Sequence, residues 1–279
     1  MTWTVMLAVL VGAMLHASWN VMVKSSTDKT LDTALIHLCC SFIAIPFCLV
    51  LGLPHVESWP YLAASVVIHI GYYFALAQAY HHGDLGLTYP LMRGVAPLIV
   101  AIGSLAFIDG SSMSLLGWVG VALICIGVLI LGMSAGLLQH GRAILFALLN
   151  SAIIAIYTLI DAKGVRTSQN AAQYIAALFT FDGWAFAFWV LYLRKQRAVT
   201  YFKERWAIGL GGAAASVSSY AIALWAMTVA PVAAVAALRE TSVLFAVLFG
   251  TWFLNEALTP RRVLSVLIII TGAVALRLA

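Results

Sequence analysis

Hydrophobic residues run along this chain in long blocks, which short polar or Gly/Pro-containing stretches separate. A helix needs roughly 20 apolar residues to cross a bilayer, so each block predicts one membrane-spanning helix. Helices are required because lipid offers no hydrogen-bond partner to an unpaired backbone. The ten predicted spans are Trp3–Val23, Leu31–Gly52, Trp59–Tyr80, Leu85–Ile108, Leu115–Met133, Ala143–Ile160, Gln173–Leu193, Trp206–Val229, Val232–Leu254 and Arg262–Leu278.

The composition agrees with a protein that lies almost wholly in the membrane. Of the 279 residues, 63% are hydrophobic and 9% are charged, whereas soluble domains are about half apolar and a quarter charged. The apolar N-terminal run has no cation before Lys24, so it predicts the first span rather than a cleavable signal. The net charge of +5 is spread over many loops, and we expect no nucleic-acid binding.

The two halves of the sequence resemble each other. At an offset of 146 residues, Arg93 falls on Arg239. Each half holds five spans, an odd number, so the halves must enter the membrane in opposite orientations. The sequence therefore predicts an all-α polytopic membrane protein with ten transmembrane helices in two inverted five-helix repeats, residues 1–136 and 137–279. Arg93 and Arg239 would then lie toward opposite membrane faces.

Four charged residues lie well inside predicted spans: Arg93, Asp182, Arg239 and Glu240. A charge in hydrocarbon costs on the order of 3 kcal/mol unless it faces a cavity or a partner. Two explanations stay open for Arg239: it faces a solute pathway, or it forms a structural ion pair with Asp182 or Glu240. Arg93 has no acid near it in the sequence, which favours the solute pathway.

Polar and aromatic residues form stripes on several predicted helices when they are placed at 100° per residue. Asn150, Tyr157 and Asp161, for example, fall on one face of span six. Such stripes are typical of a cavity lining, which we expect spans one, three, four, six, eight and nine to build, with five and ten outside it. The predicted substrate-binding residues are His16, Trp19, Asn20, His69, Tyr72, Tyr73, Tyr89, Arg93, Tyr157, Asp182, Arg239 and Glu240.

Two motifs resemble a known transporter superfamily. The sequence Leu-Asn-Glu-Ala-Leu-Thr-Pro at 254–260, followed by a last span with Gly272, resembles the repeat signature of the drug/metabolite transporters. Trp19-Asn20 with Lys24 is similar to the opening of the EamA branch. The resemblance covers the whole chain and implies ten spans in two halves and transport of a small metabolite. Members of the superfamily include exporters of amino acids, aromatic ones among them, other metabolite carriers and sugar-phosphate antiporters.

The residue types inside the membrane favour an organic acid as the substrate. Span one contains no acid, and arginine, tyrosine and histidine together suit a carboxylate with an apolar or ring-shaped remainder. Asp161 or Asp182 could receive an ammonium group, which would fit an amino acid. The resemblance implies export. Proton coupling, and a monomer as against a homodimer, stay open.

Other classes of function fit the sequence less well. The motifs of zinc proteases, phosphate-binding loops and nucleophile elbows are absent, so we predict neither an enzyme nor a cofactor. The cysteines lie inside apolar runs without the spacing of a metal site. The main alternative within transport is a proton-coupled efflux pump for cations or drugs. Outside transport, a lipid-handling or structural membrane subunit is the alternative.

The distribution of cations predicts the orientation. Arg93 and Arg239 lie well inside the membrane, and of the other thirteen Lys and Arg residues ten lie at the membrane side reached after odd-numbered spans. Short basic loops stay in the cytoplasm, which places both termini outside the inner (plasma) membrane and the Arg194–Arg205 loop inside the cell. Many members of the superfamily are thought to have cytoplasmic termini, which argues the other way, and we give the charge distribution more weight. The ten cations are Lys24, Lys29, Arg142, Arg194, Lys195, Arg197, Lys203, Arg205, Arg261 and Arg262.

Overall fold

The computed structural model describes residues 1–24, 26–82, 85–108, 113–132, 141–254 and 258–279. These residues are helical, without a strand, and eight of their helical segments are long and apolar enough to cross a bilayer. The prediction of an all-α polytopic membrane protein is therefore confirmed. The helices are α1 (Trp3–Lys24), α2 (Lys29–Leu51), α3 (Trp59–His82), α4 (Leu85–Phe107), α5 (Leu115–Gly132), α6 (Gly141–Thr167), α7 (Ala171–Val229), α8 (Val232–Arg239), α9 (Ser242–Leu254) and α10 (Pro260–Leu278).

Helix α7 covers two predicted spans. It runs for 59 residues and bends at Lys195, where φ is 45° and ψ is −128°. A positive φ lies outside the α-helical range and is uncommon for residues other than glycine. Lys195 therefore interrupts the regular helix. We call the parts of α7 before and after Lys195 its first and second arms. They correspond to the predicted spans seven and eight.

The predicted ninth span is broken inside the membrane. It consists of α8 and α9, and the break falls at Glu240 and Thr241. The Thr241 hydroxyl donates to the carbonyl of Leu238 at 2.6 Å, and the Glu240 N–H donates to the carbonyl of Ala237 at 3.0 Å. These local bonds satisfy groups that the break frees from the α-helical pattern. The hydropathy pattern gave no sign of this break, which brings polar backbone to the centre of the bundle.

Two pairs of charged residues join the start of α2 to the second arm of α7. Arg205 binds the buried carboxylate of Asp32 through two hydrogen bonds of 3.0 Å. Arg197 binds Asp28 at 3.2 Å on the surface. Both pairs lie at the end of the bundle where α2 begins and α7 bends. Since α10 also begins there, we call this the basic end, after Lys29, Arg194 and Arg262.

The helix pairings have the pattern that a two-fold relation between the halves would produce. A two-fold axis between the halves would exchange α5 with α10, and α2 with the first arm of α7. In the structure α5 packs against α10, and α2 packs against α7, as such an axis requires. The same axis would relate the packing of α3 on α6 to the packing of the second arm of α7 on α1, and both are present. In the second of these, the Ser219 hydroxyl donates to the Gly12 carbonyl at 2.7 Å. The inverted repeats 1–136 and 137–279 stay a prediction, which these pairings support.

The α5–α10 contact depends on glycine. A Cβ atom placed on Gly120 would lie 2.8 Å from Leu276 Cγ and 2.9 Å from the carbonyl oxygen of Gly272. A Cβ on Gly272 would likewise lie 2.8 Å from the Gly120 carbonyl oxygen. Small residues let membrane helices approach this closely, and van der Waals contact then stabilises the pair.

Gly120→Ala should therefore destabilise the fold. The added methyl group meets backbone as well as side chain, so we expect a loss of about 1–3 kcal/mol, measured as a lower Tm of the detergent-solubilised protein. Gly211→Ala is the matched control, because a Cβ there meets nothing within 4 Å and alanine is the better helix former. Equal Tm values for the two variants would contradict the proposed role of the close contact.

Candidate functional site

A cavity of about 550 Å³ lies between the helices. This volume is in the range of small-molecule binding sites. The structure places eleven of the twelve predicted site residues on its wall, whereas Glu240 is buried behind it. The eleven are His16, Trp19, Asn20, His69, Tyr72, Tyr73, Tyr89, Arg93, Tyr157, Asp182 and Arg239.

The lining of the cavity extends from the interior to Lys29, Arg194 and Arg262, which form the rim at the basic end. Toward the other end, α8 is packed among buried residues, and Val232–Leu238 are each at most 5% exposed. Within the described ranges, the cavity therefore opens toward the basic end, and α8 separates it from the opposite end.

Arg93 and Glu240 form an ion pair inside the membrane. Arg93 Nε lies 2.7 Å from Glu240 Oε2, and the two side chains are 8% and 5% exposed. Two explanations were open for Arg239, and an ion pair with Glu240 is not the one found: the acid binds an arginine from the other half of the chain. Arg93 reaches the residue next to Arg239, and the placement of the two arginines toward opposite membrane faces stays a prediction.

Arg239 lies over an aromatic ring instead of a carboxylate. Its guanidinium carbon is 4.8 Å from the ring centre of Tyr220, and no acid among the described residues lies within ion-pair distance of it. The Tyr220 hydroxyl donates to Asp161 at 2.6 Å, and Tyr174 donates to the other oxygen of that carboxylate at 3.0 Å. Asp161 is thus occupied away from the cavity wall, while Arg239 faces the cavity.

Asp182 lies between two histidines from other helices. Its oxygens are 3.6 Å from His69 Nδ1 on α3 and 4.0 Å from His37 Nδ1 on α2. His37 Nδ1 is also 2.9 Å from the Tyr73 hydroxyl. His37 is absent from the predicted set, because a single histidine in an apolar span forms no stripe. The one indication in the sequence was that His37 is a polar residue inside the apolar span two.

Aromatic rings line the cavity between the acidic and the basic side chains. Tyr157 stacks on His69 with ring centres 4.4 Å apart and faces Tyr220 at 6.4 Å. Tyr73 stacks on Phe186 of α7 at 4.4 Å. Stacked and edge-to-face pairs of this kind form a stiff apolar surface with polar edges.

Helices α2 and α7 contribute more to the cavity than the sequence indicated. The first arm of α7 supplies Phe179, Phe186 and Trp189 besides Asp182, and α2 supplies His37. The expectation that spans one, three, four, six, eight and nine build the cavity was therefore incomplete. Helical phase could not separate these aromatic residues from lipid-facing ones, since both kinds occur on apolar helices. Spans five and ten contribute one lining residue each, Leu131 and Arg262.

Five buried polar atoms on cavity-lining residues lack a hydrogen bond within the described part of the chain. They are Trp19 Nε1, Arg93 Nε, Arg93 Nη2, Asn150 Oδ1 and Asp182 Oδ1. Arg93 Nε belongs to the ion pair with Glu240. Buried polar groups are nearly always satisfied, by protein or by a bound molecule. The other four atoms are two donors and two acceptors, so a solute that carries both kinds of group would complete them.

Comparisons with known proteins give a family and a fold. The model of the EamA-like transporter family matches residues 141–278. The search of curated proteins found no match. A solved structure described only as "Crystal structure of protein" is similar at a TM-score of 0.76 and 16% sequence identity, covering 99% of this chain and 98% of its own. At this identity the likeness shows a shared fold.

The ion pair between Arg93 and Glu240 should behave as a coupled unit. Either Arg93→Ala or Glu240→Ala leaves a buried charge unpaired, and we expect each to cost about 3–5 kcal/mol of stability. The double variant should cost less than the sum of the two, measured by thermal unfolding in a double-mutant cycle. Arg197→Ala, which removes an exposed pair, should cost at most about 1 kcal/mol. Additive losses would show that the two charges do not stabilise each other.

Proposed function

The chain belongs to the EamA-like transporter family, and from this premise we propose that it carries an amino acid or a related organic acid by alternating access. Family membership makes it a multi-pass membrane transporter of small molecules and not an enzyme. The substrate, the direction and the mechanism are our proposals. They follow from the charges and the shape of the cavity.

The observation that carries the proposal is an acidic and a basic group on one cavity, separated by aromatic rings. Arg239 lies at one pole beside Tyr220, and Asp182 lies at the other beside His69. Tyr157 stands between them, since it contacts both Tyr220 and His69. An amino acid presents a carboxylate and an ammonium group, and its side chain can lie against the rings.

Arg239 is the arginine that suits the carboxylate. The charge of Arg93 is compensated by Glu240 at 2.7 Å, whereas Arg239 lies over the Tyr220 ring and forms no ion pair with an acid among the described residues. A guanidinium can hold a carboxylate through two parallel hydrogen bonds while it keeps its contact with an aromatic ring. A carboxylate at this position would remove the cost of an unpaired charge in the cavity.

The alternatives fit this arrangement less well. An efflux pump for cations or drugs would use Asp182, but the uncompensated charge of Arg239 in the same cavity repels a cation. A lipid-handling or structural subunit has no need of a polar cavity closed off from the opposite end of the bundle. A sugar phosphate would be held by arginine, but the acid at Asp182 has no partner on such a solute.

Alternating access is supported by the one-sided cavity and by the break in the ninth span. The break between α8 and α9 puts Arg239 near the end of a short helix, where a small change in backbone angles would move it. Broken helices that meet near the membrane midplane are common at the sites of secondary transporters. We place the basic end in the cytoplasm by the charge distribution. The cavity would then load from the inside, which favours export.

Transport should be measured in proteoliposomes with a mixture of labelled amino acids. We expect uptake or exchange by the unmodified protein. In Arg239→Gln we expect a half-saturation concentration about 10- to 100-fold higher, because a charged hydrogen bond is lost. Arg197→Gln is the control, since Arg197 is exposed and belongs to a surface pair. Unchanged kinetics in Arg239→Gln would contradict the carboxylate site, and no amino-acid transport at all would contradict the proposed substrate class.

The orientation can be tested at the bend of α7. Gln196 is exposed beside Lys195, whereas Ala198 is buried, so cysteine should be introduced as Gln196→Cys. We expect an impermeant thiol reagent to leave intact cells unlabelled and to react after permeabilisation, because this basic segment lies in the cytoplasm. The parent protein gives the background from its own four cysteines, three of which are buried. Rapid labelling of intact cells would reverse the assignment.

A further inference from the structure

We propose that Asp182, together with His37 and His69, is a proton-binding site that couples solute transport to proton movement. The proposal rests on the proposed function, since it assigns a second occupant to the acidic pole of the same cavity. It concerns three side chains from three helices, α2, α3 and the first arm of α7. All three residues line the cavity.

The contacts of the trio leave one carboxylate oxygen available. Asp182 Oδ1 is buried without a hydrogen bond among the described residues, and His69 Nδ1 lies 3.6 Å away. His69 Nδ1 also lies 2.9 Å from the carbonyl oxygen of Ser65, so this nitrogen carries the hydrogen and donates it. The other ring nitrogen of His69 is then the basic one. A proton can therefore bind at Asp182 Oδ1.

No permanent positive charge compensates Asp182 within the described residues. The titratable groups that face the trio come from α2, α3 and α6. They are Cys40 on α2, Tyr72 and Tyr73 on α3, and Tyr157 and Asp161 on α6. The arginines are engaged elsewhere: Arg93 binds Glu240, and Arg239 lies on Tyr220. The charge of Asp182 thus depends on the state of two histidines, the residue type whose ordinary pKa lies closest to neutral pH.

Tight packing holds the trio in position. A Cβ on Gly183 would clash with the backbone of His37, so α2 and the first arm of α7 touch at the residue that follows Asp182. The Ser41 hydroxyl, one turn from His37, donates to the carbonyl of Phe179 at 2.8 Å. Because these contacts fix the two helices in register, the carboxylate and the imidazole stay within reach of each other.

The apolar surroundings make closure of the cavity depend on a proton or an ammonium group at Asp182. When the cavity closes, a lone carboxylate loses its water, which costs several kcal/mol in hydrocarbon. A substrate ammonium group removes this cost in one direction of the cycle. On the return without substrate, a proton from the outside does the same by neutralising Asp182. One solute would then leave for each proton that enters.

Proton binding can be tested without any substrate. Infrared spectroscopy of the reconstituted protein should show the carbonyl stretch of a protonated carboxyl at low pH, and this band should disappear when the pH is raised. We expect Asp182→Asn to abolish this pH-dependent band. Asp161→Asn is the matched control: Asp161 is equally buried but is bonded to two tyrosines away from the cavity, so the band should remain.

The outcomes separate the proton site from the rest of the mechanism. A band that persists in Asp182→Asn, is lost in Asp161→Asn, or is absent from the unmodified protein overturns the proposal. If Asp182→Asn does not fold, His37→Gln and His69→Gln serve instead. Each should move the midpoint of the band by half a pH unit or more, and an unmoved midpoint in both overturns the role of the trio.

The coupling is tested in proteoliposomes loaded with labelled amino acids. An inward proton gradient should accelerate efflux several-fold in the unmodified protein. Asp182→Asn also removes the partner of the substrate ammonium group, so we expect slower efflux from it, and the efflux that remains should not be accelerated by the gradient. His37→Gln leaves Asp182 in place and should reduce the acceleration. A gradient response in Asp182→Asn equal to that of the unmodified protein overturns the coupling. Absence of amino-acid exchange in the unmodified protein contradicts the proposed function instead, and the infrared result still decides whether Asp182 binds a proton.

Discussion

The ion pair between Arg93 and Glu240 is the interaction on which the centre of this molecule depends. It joins α4 to the break between α8 and α9. Without the pair, an unpaired charge and the polar groups of a helix end would both lie in the apolar interior. Replacing water around two charges is costly, and only close contact offsets that cost. Because Glu240 is bound in this way, its neighbour Arg239 is left to the cavity. One pair thus determines which arginine is structural and which is available to a solute.

A second polar chain continues from Arg239 into the other helices. Arg239 lies on Tyr220, which donates to Asp161, and Asp161 also accepts from Tyr174. The chain crosses from α8 through both arms of α7 to α6. A movement at the helix break would therefore change the contacts of Asp161, whose carboxylate both arms of α7 bind. Such a contiguous network, with a break at one end and a bend at the other, can couple a solute at Arg239 to the arrangement of the helices.

The helices and most of the cavity wall followed from the sequence, because lipid imposes the strongest constraint on the chain. Roughly 20 apolar residues must form each crossing helix, and a polar side chain among them needs a reason to be there. That rule identified Arg93, Tyr157 and Asp182. It could not pair the charges, because Arg93 and Glu240 are distant in the sequence and meet only through tertiary packing. It also missed the helix break, since apolar residues on both sides give one continuous hydropathy signal.

Two features of the basic end bear on the direction of transport. The cavity opens there, between Lys29, Arg194 and Arg262, and the excess of loop cations lies there as well. A basic rim raises the local concentration of carboxylates, which increases the rate at which an anionic group enters. In the proposed orientation this rim faces the cytoplasm, where it would gather organic acids from inside the cell. The same cations that set the orientation would then also select the sign of the solute at the mouth, before Arg239 and Asp182 bind it in the interior.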